Sequence, residues 1–122
     1  MSFEDVLSKV VNRVEGGTAA IILGVDGIPI ERYTSDFDSS LDIEAIGTEF
    51  TTLLRRSIHT ASDTALGELN ELVFATDKMF FLIRPITNDY FILLAISPGG
   101  NVGRGRFELR KAQLALESEF AL

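Results

Sequence analysis

Residues 90–120 read YFILLAISPGGNVGRGRFELRKAQLALESEF, and the fold turns on how this stretch changes its period. Seven of the eight residues from Tyr90 to Ser97 are apolar or aromatic, as a strand covered on both faces requires. Pro98, Gly99 and Gly100 stop it, because proline has no ladder N–H and glycine admits left-handed backbone. Helical spacing then starts at Leu109 and continues through Ala112, Leu116 and Phe120. The segment between, rich in Gly and Arg, reads as a turn from strand to helix. A sheet whose last strand is this apolar needs a layer on each of its faces.

Immediately upstream, Glu68 to Thr76 and Lys78 to Ile86 read as two further strands, with turns at Asp77 and at Asn88-Asp89. Turns this short make an antiparallel meander. The segment LNELVFATD has neither proline nor lysine in its middle, so at a sheet edge it would be an unprotected template for a second copy. Leu69, Glu71, Leu72, Val73, Phe74 and Ala75 are therefore the expected edge of a homodimer.

Farther back, Thr18 to Val25 and Ile28 to Thr34 form a hairpin around Asp26-Gly27, for which a type I′ turn is expected. Pro29 has no N–H to give, which places the second of these strands at an edge. Ser35 to Ser40 is a polar connection, acidic at Asp36 and Asp38. The first helix is capped by Ser2, with Asp5 three residues on, and buries Phe3, Val6, Leu7, Val10 and Val14 before Gly16-Gly17 ends it. Glu4, Lys9, Asn12 and Arg13 are its solvated side.

A long second helix is expected over about Leu41 to Asp63, with Ile43, Ile46, Phe50, Leu53, Leu54, Ile58 and Ala61 as its buried stripe. Gly47 lies within that stripe, where glycine costs about 1 kcal/mol against alanine, so a close backbone approach is expected. The opposite face carries Ala45, Thr48, Thr52, Arg55, Arg56 and His59. It is small at one end and basic at the other, unlike the Glu- and Lys-rich face an acidic chain would ordinarily show. Two readings stand: tolerated surface threonines, or a contact platform that small residues open and arginines anchor. The whole reads α-β-β-α-β-β-β-α, an α+β fold with a five-stranded antiparallel sheet between helices.

With 122 residues, one domain spanning 1–122 is expected. The absence of cysteine excludes disulfides and thiolate chemistry, and one histidine leaves no metal-ligand pattern. The net charge of −7 opposes nucleic-acid binding. No apolar run approaches the roughly 18 residues of a membrane span, and the acidic N-terminal segment is unlike a secretion signal, so a cytoplasmic location without membrane insertion is expected.

Gly99, Gly100, Gly103 and Gly105 lack the spacing and the Lys-Ser/Thr pair of a phosphate loop. His59 with Asp63 has no accompanying nucleophile, and no constellation supports catalysis. Neither a catalytic residue nor a cofactor is expected.

The hairpin LGVDGIPIE, the meander LVFATDKMFFLIRPITNDYFILLAIS and the tail PGGNVGRGRFELRKA together resemble the Roadblock/LC7 domain, in particular its prokaryotic MglB-like members. The resemblance covers essentially the whole chain. It implies a profilin-like architecture and a homodimer with strand order 2-1-5-4-3, the third strands of two copies pairing into one sheet. The long second helices would then lie side by side as a platform, with the first and last helices on the other face. It implies a non-catalytic regulator or scaffold of Ras-like small GTPases, some members acting as GTPase activators by reshaping the GTPase's own switch regions. The family has no fixed catalytic motif to carry over. The alternative is a structural adaptor dimer of the dynein-light-chain type, without nucleotide sensing. A small-molecule sensor ranks behind both, for want of buried polar groups to orient a ligand.

Overall fold

A computed structural model describes residues 2–35 and 41–120. The acidic connection expected at Asp36 and Asp38 lies outside them. The elements are α1 (Phe3–Asn12), β1 (Gly17–Gly24), β2 (Pro29–Thr34), α2 (Ile43–Asp63), β3 (Leu72–Ala75), β4 (Phe80–Pro85), β5 (Tyr90–Ile96) and α3 (Val102–Phe120). The strands form one antiparallel sheet in the order β2-β1-β5-β4-β3, so β2 and β3 are the edges. Pro29 opens edge strand β2, where its missing N–H costs no ladder bond.

The three inner strands alternate side chains between two cores. Ala20, Ile22, Leu82, Ile92, Leu94 and Ile96 face α1 and α3, with Leu7, Val10, Leu109 and Leu116 packed against them. Ala19, Ile21, Leu23, Ile83, Phe91 and Leu93 face α2, against Ile43, Phe50 and Leu54. The apolar runs of β1, β4 and β5 are thus explained by helices on both sides. One glycine in each helical layer sets the distance to the sheet. A Cβ on Gly47 would lie 2.6 Å from Leu23 Cδ1, and one on Gly105 would lie 2.6 Å from Ile96 Cδ1.

Local chemistry fixes the ends of the helices. The Ser2 hydroxyl accepts from the Asp5 N–H at 3.1 Å, and the Asp42 carboxylate accepts from the Ala45 N–H at 3.1 Å, each satisfying an orphan donor of the first turn. Helix α1 ends at Asn12, earlier than Gly16-Gly17, and Val14 is buried beyond it. Helices α1 and α3 run antiparallel: Phe3 stacks on Phe120 at 5.2 Å, while at the other end Arg13 reaches Glu108 at 3.7 Å.

Four expectations change. Gly27 is left-handed at φ 91° but Asp26 is not, and the Gly27 N–H closes on Gly24 O at 2.9 Å. The hairpin is therefore a three-residue loop with a glycine bulge, not a type I′ turn, and the register slips between Ile22 and Leu23. The glycine-rich turn is shorter than expected: α3 begins at Val102, with the Asn101 side chain accepting from the Arg104 N–H at 2.9 Å. Strand β3 holds only Leu72–Ala75, because only these residues have partners on β4; Leu69 and Glu71 precede it. Leu53 is 37% exposed and not in the buried stripe.

Candidate functional site

Helix α2 lies across one sheet face with Ile43, Gly47, Phe50, Thr51 and Leu54 buried, which turns its opposite side to solvent. All six residues of the expected platform, Ala45, Thr48, Thr52, Arg55, Arg56 and His59, are exposed there. Thr48 donates to Gly27 O at 3.3 Å, tying the N-terminal half of the platform to the β1–β2 turn. Beyond that turn, Ile28 and Ile30 remain 60% and 40% exposed, apolar neighbours that sequence reading did not single out. At the C-terminal half, His59 Nε2 lies 3.0 Å from Asp63 Oδ2, and both side chains are largely exposed. Arg55 and Arg56 form no ion pair among the described residues, so both guanidinium groups present their donors outward.

Between α2 and edge strand β3 runs a shallow apolar groove of about 500 Å³, lined by Ala45, Ile46, Glu49, Phe50, Leu53, Phe74 and Phe81. Phe74 meets Phe50 edge-on at 5.0 Å, and Phe50 tilts on Phe81 at 5.2 Å, which gives the groove an aromatic floor. Leu53 and Phe74 are 37% and 41% exposed along it, and Val73 of the same strand is 40% exposed. Val73 belongs to the other face of β3, since it pairs with Leu82 of the α1/α3 core. The four expected edge residues that lie in β3 have ladder partners on one side only. Ala45 belongs to both surfaces, bordering the groove and the platform.

On the other layer, Glu108 of α3 has a side chain only 2% exposed, a buried acid that no feature of the sequence pattern announces. Arg104 Nη2 lies 3.1 Å from it, Arg13 Nη1 at 3.7 Å and Lys111 Nζ at 3.9 Å. Its Oε2 has Arg104 within ion-pair distance but in no hydrogen-bond geometry. Arg106 pairs with Glu71 at 3.0 Å.

A second cavity of about 600 Å³ lies at the end of the sheet, between the α2–β3 connection and α3; Glu68, Asn70, Gln113 and Glu117 are among its lining residues. Among the described residues no group of three His, Asp or Glu could hold a metal ion, and no helix is long and apolar enough to cross a membrane. The geometry offers an open strand edge, an apolar groove beside it and a helix face whose two arginines have no ion-pair partner among the described residues.

Neither a protein-family model nor a curated protein matches the sequence. Solved structures do. The chain is 32% identical to MglC from Myxococcus xanthus over 98% of this chain and 99% of that one, with a TM-score of 0.70. A Roadblock/LC7 domain from Streptomyces avermitilis superposes with a TM-score of 0.86 over 100% of both chains at 14% identity. The gliding protein MglB from Thermus thermophilus gives 0.83 at 14% identity, covering 93% of this chain and 84% of that one. The last two share the fold; MglC shares sequence along nearly its whole length.

Proposed function

This chain belongs to the Roadblock/LC7 domain family, and from that membership we propose that it is a non-catalytic, cytoplasmic homodimer that regulates a Ras-like small GTPase. The observation that carries the reading is the juxtaposition of two surfaces. The unprotected β3 edge with its aromatic groove suits a second copy, which leaves the outer α2 face free for a different protein.

Pairing β3 with β3 of a partner would continue the sheet and cover Phe74 and Leu53, the side chains that α2 and β4 leave half open. The two α2 helices would then sit on the same side of the joined sheet. Arg55, Arg56 and His59 of each copy, together with Thr48 and Thr52, would form one basic, small-residue surface on an otherwise acidic molecule. Such a surface suits a GTPase whose nucleotide-binding side is acidic around its metal and switch segments. Nothing in the geometry marks Arg55 or Arg56 as an arginine finger, so any acceleration of hydrolysis would act through the GTPase's own switch residues.

The test is the double variant Arg55→Glu/Arg56→Glu, read by pull-down of a Ras-like GTPase in its GDP and GTP states and by the mass of the particle. The expected outcome is a dimer that no longer binds the GTPase. Undiminished binding would remove α2 as the docking surface. Equal binding of wild type to both nucleotide states would favour the adaptor reading.

A further inference from the structure

We propose that the outer face of α3, on the side of the sheet away from α2, is a docking site for an acidic, amphipathic segment of a partner protein. Phe107 and Leu114 are 58% and 54% exposed, although α3 is otherwise packed in the usual way with Gly105, Leu109, Ala112 and Leu116 inward. They lie seven residues apart, two helical turns, and so point the same way about 10 Å from each other. That spacing is the one an apolar stripe on a second helix presents.

Cations surround the pair. Arg104 lies over the Phe107 ring at 5.4 Å and Lys111 at 5.9 Å, with Arg110 exposed between the two apolar residues. From Val102 to Leu114 the only acid is Glu108, and it is buried. Its carboxylate has Arg104, Lys111 and Arg13 of α1 within 3.1–3.9 Å, which restrains these half-exposed side chains around one point before any partner arrives. Pre-ordering of this kind lowers the entropic cost of binding. An exposed phenylalanine ring with an arginine over it is also a pairing of residue types enriched at interfaces.

Charge selects the occupant. Arg104, Arg106, Arg110 and Lys111 of α3 outnumber the two acids beside them, buried Glu108 and Glu71, which holds Arg106, so this end of α3 is locally basic on an acidic molecule and complementary to a negative ligand. The antiparallel packing of α1 and α3 gathers Glu4, Asp5, Glu117 and Glu119 at the far end of the same layer. A flat anionic bilayer would meet both ends and be repelled by one. A short peptide can lie on the basic end alone. In the proposed dimer this layer is on the face opposite the GTPase surface, so both partners could be held at once.

A phage-displayed library of random 16-residue peptides, panned on the intact chain, tests this. The expected result is enrichment of peptides that combine several acids with apolar residues at helical spacing. Synthesised singly, these should lose about tenfold or more in affinity on Phe107→Ala and on Arg110→Glu, a change of order 1.4 kcal/mol or more. They should weaken in high salt and be indifferent to Arg55→Glu/Arg56→Glu. Both α3 variants alter exposed side chains, and unchanged thermal melting would establish that the fold is intact. The proposal fails if no peptide is enriched, if the enriched peptides lack acids, or if they bind the α3 variants as well as wild type. It also fails if phosphatidylserine vesicles bind the chain in a Phe107-dependent way, or if Phe107→Ala changes the mass of the particle.

Discussion

Phe74→Ala should weaken the proposed dimer twice, once in each copy. The ring is 41% exposed in the single chain and rests edge-on against Phe50 at 5.0 Å. Fully burying a phenylalanine side chain is worth about 2–3 kcal/mol, so covering the exposed share contributes roughly 1 kcal/mol per copy and 2 kcal/mol per dimer. That corresponds to a rise in Kd of about 30-fold. The part of the ring already buried against Phe50 and Phe81 supports the monomer, so the variant should also lose about 2 kcal/mol of unfolding stability. Sedimentation equilibrium over a range of concentrations separates the two effects, because association depends on concentration and folding of the monomer does not. Phe107→Ala, a larger exposed ring on the opposite face, is the control and should leave Kd unchanged. The reasoning is refuted if Phe74→Ala changes Kd by less than about threefold, or if the wild type is monomeric near 100 μM, where an interface of about −5.5 kcal/mol is half formed.

Three further predictions concern the scaffold. Gly105→Ala should be less stable than Gly103→Ala by about 1–3 kcal/mol in urea titrations, since helix propensity largely cancels between them and only Gly105 faces a methyl group at 2.6 Å, whereas Gly103 has nothing nearer than Asn101 Oδ1 at 3.6 Å. Asp42→Ala should cost about 1 kcal/mol by removing the acceptor from the first turn of α2, with Asp42→Asn recovering most of it. Glu108→Gln keeps the shape of a buried side chain but removes the charge that three cations share, and should cost roughly 1–2 kcal/mol by thermal or urea unfolding, discounted because the cations are about half exposed.

Much of the fold was legible because period and punctuation agreed. The apolar run of β5, the proline at the start of β2 and the stripe of α2 each allow one arrangement, and Gly47 announced the close approach now seen against Leu23. The departures have physical causes. Asp-Gly signals a hairpin without saying which residue takes the left-handed conformation, and here Gly27 alone does, next to a bulge. Gly103 and Gly105 are poor helix formers, so α3 looked as though it began later; packing of Gly105 on Ile96 and the Asn101 cap override that propensity. Strand propensity at Leu69 to Glu71 found no partner on β4.

The exposure of Thr48, Thr52, Arg55, Arg56 and His59 was readable because helical geometry alone sends them away from the stripe. Leu53 was misplaced for a related reason: its position at the margin of the stripe cannot tell a core from a groove at a sheet edge. Glu108 was out of reach, because its burial depends on Arg13 arriving from a helix nearly a hundred residues earlier in the chain. The exposure of Phe107, Leu114, Ile28 and Ile30 was equally hidden, since periodicity marks what can be buried and not what is left uncovered.

The most direct test of the regulatory reading is GTP hydrolysis by a Ras-like GTPase from the same cell, with and without this protein, alongside pull-downs in both nucleotide states. The account expects preferential binding of one nucleotide state by the dimer, with hydrolysis accelerated if the protein is an activator and unchanged if it reads the state without altering it. Absence of binding in either state, or binding blind to the nucleotide, would contradict it.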